Sequence, residues 1–102
     1  MRITITARHA TVPAGLQARA RSLLQRLFRV APRPHDAQLI FRGDHGTATV
    51  EVRLHTVQGH VHVGTAEGAD YRTALDRAVA KVRRQLDKAP VRRRRAPARA
   101  RS

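Results

Sequence analysis

The chain has 102 residues and carries 21 lysines and arginines, 19 of them arginine, against seven acidic residues, a formal net charge of +14. That length makes one small domain at most, and an apolar fraction of 41% is enough to fold it. The absence of cysteine excludes disulfide frameworks, CxxC redox chemistry and thiolate zinc sites, and no segment has the apolar length of a membrane span or the pattern of a signal peptide. These features describe a soluble, intracellular protein whose self-repelling charge is best tolerated against an anionic partner, nucleic acid being the commonest.

In chain order, Arg2–Ala7 alternates, with Ile3 and Ile5 on one side and Thr4 and Thr6 on the other, and predicts a strand. Pro13 suits the start of a helix. From there Leu16, Ala20, Leu23, Leu24 and Leu27 cluster within an arc of about 100° on a helical wheel. Arg19, Arg21, Arg26 and Arg29 all fall outside that arc, and Pro32 and Pro34 stop the segment. Three strands follow. The first has Ala37, Leu39 and Phe41 on one face, and Gly43-Asp44-His45-Gly46 turns it. The second sets Ala48, Val50, Val52 and Leu54 against Thr47, Thr49, Glu51, Arg53 and His55, and the spacing after a Gln58-Gly59 turn sets Val61, Val63 and Thr65 inward along the third.

Asp70 to Asp87 predicts a second helix, capped by Asp70, with Tyr71, Leu75, Ala78, Val79, Val82 and Leu86 as its apolar stripe. Arg77, Lys81, Arg84 and Lys88 form a separate cationic line, and four like charges at this spacing repel unless something binds them. Beyond Lys88 the composition collapses to Ala, Pro and Arg, so 1–88 reads as the folded domain and 89–102, with six of the positive charges, as a disordered Arg-rich tail. The order β-α-β-β-β-α predicts an α+β fold. Its four-stranded sheet has a parallel first pair and two helices packed on one face, as in a double-stranded-RNA-binding domain with an extra leading strand.

The residues that carry a family likeness are MRITIT at the start, Leu16, His62 and above all AEGADYRTALDRAVAKVRRQLDK over 66–88. They resemble the short bacterial ribosome hibernation promoting factors, which include ribosome-associated inhibitor A (protein Y). The usual patterns there are M-x-I-x-I-T and AE-x-x-D-M-Y-A-A-I-D-x-x-x-D-K-L-x-R-Q-L-x-K. Glu67, Asp70, Ala74, Asp76, Lys81, Arg84, Gln85, Leu86 and Lys88 agree residue for residue. Tyr71 stands one place before the family's aromatic, which is Arg72 here. Leu23 replaces a residue that is basic in some members, and arginine replaces most of the lysines. The resemblance implies a cytoplasmic bacterial factor of stress or stationary phase. Such a factor binds the small ribosomal subunit and the 70S ribosome through 16S rRNA, in the messenger and tRNA channel, and inhibits translation. Long members add a dimerising domain; this chain, without it, is expected to be a monomer off the ribosome.

The RNA-binding candidates are therefore Arg77, Lys81, Arg84, Lys88 and Arg83 on the second helix, Arg19, Arg26 and Arg29 on the first, and Arg92, Arg93, Arg94 and Arg95 in the tail. Arginine suits bidentate phosphate contacts. A two-residue turn at Gln58-Gly59 would set His55 opposite His62 with His60 nearby, but no carboxylate or cysteine completes a metal site, and none is expected. Gly43-Asp44-His45-Gly46 matches a KH-type GxxG but joins strands and contains an acid, so it reads as a hairpin turn. Few aromatics stand at strand centres, which argues against base-stacking modules. No nucleophile–base pair, carboxylate pair or phosphate loop is present, so neither an enzyme nor a small-molecule or cofactor site is expected. Two other readings are a nucleic-acid-coating protein without a ribosomal site, and a transcription regulator of the sigma-factor-modulator kind.

Overall fold

The computed structural model describes residues 2–44 and 46–88. The elements run β1 (Arg2–Arg8), α1 (Ala14–Val30), β2 (Pro34–Asp44), β3 (Thr47–Thr56), a short 3-10 turn (Val57–Gly59), β4 (Val61–Gly68) and α2 (Tyr71–Lys88). One sheet of order β1-β2-β3-β4 results, with β1 and β2 parallel and the other pairs antiparallel. The fold is the expected α+β arrangement in the expected order. The Arg-rich segment 89–102, with Arg92–Arg95, lies outside the described residues.

Both helices cover one face of the sheet, because most of its apolar side chains are on that face. Leu24, Leu27 and Phe28 of α1 and Leu75, Val82 and Leu86 of α2 close on Leu39, Phe41, Val50, Val52 and Leu54 in a single core. Within it Leu24, Leu39, Phe41, Val50, Val52, Leu54, Leu75 and Val82 have no exposed surface. α1 rests on β1 and β2, α2 on β3 and β4. Tyr71 meets Phe41 edge-to-face at 5.7 Å, which docks the first turn of α2 onto β2. Asp70 caps that turn, its Oδ1 accepting the Thr73 backbone N–H at 2.7 Å. This bond holds the exposed Asp70 carboxyl below its ordinary pKa.

The inward assignment of Val61, Val63 and Thr65 is overturned. β3 runs on to a buried Thr56, and a three-residue turn follows, in which the Thr56 N–H bonds the His60 carbonyl at 2.9 Å and Gly59 takes a φ of +74°. Leu54 therefore pairs with His62, and His55 with Val61. One residue of register puts the whole strand the other way up: His62, Gly64, Ala66 and Gly68 face the helices, while Val61 and Val63 stay 46% and 41% exposed. The physical cause is the nearness of α2. A Cβ at Gly64 would stand 2.5 Å from the Ala78 carbonyl oxygen, and one at Gly68 3.1 Å from the Ala74 nitrogen. Small residues, not the most hydrophobic ones, fit that face.

Candidate nucleic-acid interface

The positive charge of residues 1–88 resides in the helices. α1 and α2 together hold ten cationic residues and two acids, Asp76 and Asp87, while the other five arginines are matched by five acids. Both helices run in the same sense. Along α2, Arg77, Lys81 and Gln85 meet successively earlier residues of β4, and on its other flank Arg19 of α1 meets Asp76 while Arg26 lies beside Arg83. Opposite the core, the two amphipathic helices thus present one broad cationic surface.

Between the helices runs a groove of about 280 Å³, floored by Leu23, Leu27, Val79 and Ala80 and rimmed by Arg19, Arg26 and Arg83. The Arg19 guanidinium is tied across it to Asp76 by two hydrogen bonds of 3.1 and 3.2 Å. Arg83 bonds Asp87 at 3.3 Å, one turn on. On the outer flank a second groove of about 370 Å³ is lined by Glu67, Arg77, Ala80, Lys81 and Arg84.

The candidates do not all stand alike. Arg26, Arg29, Arg84 and Lys88 are exposed and bond no partner among the described residues. Arg77 and Lys81, also exposed, instead donate to the backbone of β4: Arg77 Nη1 to the Glu67 carbonyl at 3.0 Å and Lys81 Nζ to the Thr65 carbonyl at 2.6 Å. Gln85, not among the candidates, continues the series with Nε2 to the Val63 carbonyl at 2.6 Å. The i, i+4, i+8 spacing of 77, 81 and 85 is visible in the sequence. It gains meaning only because β4 is an edge strand beneath it.

The opposite face of the sheet is built on internal pairing. Glu51, buried on β3, accepts from Arg42 at 3.0 Å and Arg53 at 2.5 Å. The Arg53 hydrogen bond, together with the two positive charges and the second bond from Arg42, outweighs burial and holds the Glu51 carboxyl below its ordinary value. His55 Nδ1 lies 3.0 Å from Asp36 Oδ1 on this face. His62 lies on the other, so the expected His55–His62 pair does not form. Burial, with the nearby charge of His60, pushes the His62 imidazole below its ordinary pKa against the opposing pull of Gln85. Among the described residues no three His, Cys, Asp or Glu side chains converge as a metal site, and no helix is long and apolar enough to cross a membrane.

An α+β sheet carrying its surplus charge on two co-directional helices defines a class of small proteins with one strongly cationic side. Residues 3–94 match the family model described as Sigma 54 modulation protein / S30EA ribosomal protein. The chain belongs to this ribosome-associated, non-enzymatic family. Among solved structures it is similar to a ribosomal subunit interface protein from Coxiella burnetii, with a TM-score of 0.75 and 21% identity over 86% of this chain and 96% of that one. It is also similar to the N-terminal domain of Thermus thermophilus Protein Y, with a TM-score of 0.73 and 23% identity over 84% and 96%. Comparison with curated proteins gives no significant match.

Proposed function

We propose that this protein is a ribosome hibernation factor. It binds the small ribosomal subunit in the messenger and tRNA channel, contacts 16S rRNA with its helical face, and keeps 70S ribosomes idle in the cytoplasm under stress or in stationary phase. The single observation that supports this most is the charge partition: within residues 1–88 the strands and loops are neutral overall while the helices carry the entire surplus, in a chain of a ribosome-associated family. The two structural matches, a ribosomal subunit interface protein and a Protein Y domain, agree with that reading.

In this reading Arg84, Lys88, Arg26 and Arg29 make the first phosphate contacts, because they are not engaged elsewhere. Arg83 and Arg19 contribute from the groove rim, Arg77 and Lys81 from above β4, and Arg92–Arg95 extend the contact along the backbone. A cationic wedge of this kind grips phosphates and shape rather than base edges, and needs no chemistry beyond occupancy.

The test is co-sedimentation with purified 30S and 70S particles across a salt series, paired with cell-free translation. The proposal expects saturation near one copy per particle and inhibition of translation. Equal binding to any duplex or single strand, with no saturation on ribosomes, would make the chain a coating protein. The sigma-factor reading draws support from the family description, and translation unaffected at full ribosome occupancy would favour it.

A further inference from the structure

β4 is the outer strand of the sheet, and its outward carbonyls are those of Val61, Val63, Thr65 and Glu67. Edge strands of this kind are templates for sheet extension unless they are blunted. Here three of the four, those of Val63, Thr65 and Glu67, are occupied by Gln85, Lys81 and Arg77 of α2. The match is geometric. Alternate carbonyls on a strand recur every ~6.8 Å, and side chains four apart on a helix every ~6 Å, so two elements lying side by side keep step for three rungs.

We propose that these three rungs are a lock, and that the edge they close is a self-association surface for a second copy of this chain, which pairs antiparallel about Gly64. In that register Val63 of one copy faces Thr65 of the other, and Val61 faces Glu67. Every outward N–H and C=O finds a backbone partner, and no like charges stand opposite. Val61 and Val63, the exposed apolar residues of this strand at 46% and 41%, merge with their copies into one strip on the open face. The other edge cannot do this. Among the described residues nothing outside β2 bonds the β1 backbone, but the corresponding pairing about Ile5 sets Arg2 against Arg8 of the second copy at both ends, and opposed like charges destabilise a ladder. β1 is closed by charge and β4 by removable hydrogen bonds.

The paired form would bring two α2 helices, each rich in cations, toward each other. Its association therefore strengthens as salt screens that repulsion, the opposite of phosphate binding.

The lock is tested by Arg77→Met with Lys81→Met and Gln85→Met, which keep an unbranched, flexible side chain but donate nothing. Sedimentation velocity at rising concentration and salt, with amide hydrogen exchange, is run on this variant and on the native chain. The expected result is a native monomer and a variant dimer whose dissociation constant is at least tenfold lower and falls further with salt, with new protection at the Val63 and Thr65 amides. A folded variant that stays monomeric overturns the proposal. So does a dimer whose β4 amides exchange as freely as the monomer's, or a native chain already paired through β4. If the triple variant fails to show native circular dichroism, Lys81→Met alone, which removes the middle rung, is measured in the same way with a smaller shift toward dimer expected and an unchanged monomer overturning it.

Discussion

The two sides of the sheet handle arginine in opposite ways. On the open face Arg42 and Arg53 converge on one buried carboxylate, so their charge is spent inside the molecule. On the helical side Arg26, Arg29, Arg84 and Lys88 have no acid to meet among the described residues. The same residue type is thus tied into the fold on one side and left without an acid partner on the other, and what separates the two is the placement of seven acids. Strand positions carry an acid within reach of each engaged arginine; helix positions mostly do not.

This contrast is sharp enough to break by substitution. Arg84→Glu with Lys88→Glu should weaken ribosome retention by roughly a hundredfold, as two phosphate contacts become repulsions. The urea midpoint should move little, because both side chains are exposed; retention at the native level would refute the face assignment. Glu51→Gln should do the reverse. Stability falls by about 1 kcal/mol, since two arginines lose a charged acceptor but are themselves 39% and 50% exposed, while sedimentation with ribosomes is unchanged.

The pH dependence sharpens the same point. Because the folded Glu51 pKa is depressed, its stabilisation is complete above the ordinary carboxylate pKa of 4.5 and is lost as pH falls through the lower folded value. Urea titrations from neutral pH downward should show this limb, flattened in Glu51→Gln. His62, also depressed, adds a smaller loss beginning near its ordinary value of 6.5, as the unfolded chain takes up the proton first. The smallest effect belongs to Arg19→Ala. Its pair with Asp76 is 37% and 44% exposed, and breaking it should cost about 0.5 kcal/mol and vanish in high salt.

Much of the fold is legible in the sequence because amphipathic periodicity is strong in both helices and in β2 and β3. The prolines at 13, 32 and 34 and the Asp70 cap set the helix limits closely. β4 is misread because hydrophobicity alone favours Val61 and Val63 for the interior. Only the closeness of α2, which no local pattern encodes, reserves that interior for Gly64, Ala66 and Gly68. The cationic line on α2 is legible as charge. That Arg77 and Lys81 already hold backbone carbonyls is not, since it depends on which strand lies beneath the helix. The Glu51 cluster likewise requires the register that places Arg42 one strand over and one row along.

Two missing side chains govern how high α2 rides above its strand. With only hydrogen at positions 64 and 68, the helix sits low enough for donors of modest length to touch down on β4. A single methyl at 64 would jack the whole cylinder upward, and all three footholds would slip together. The clearance beneath the helix is thus written in atoms the chain does without.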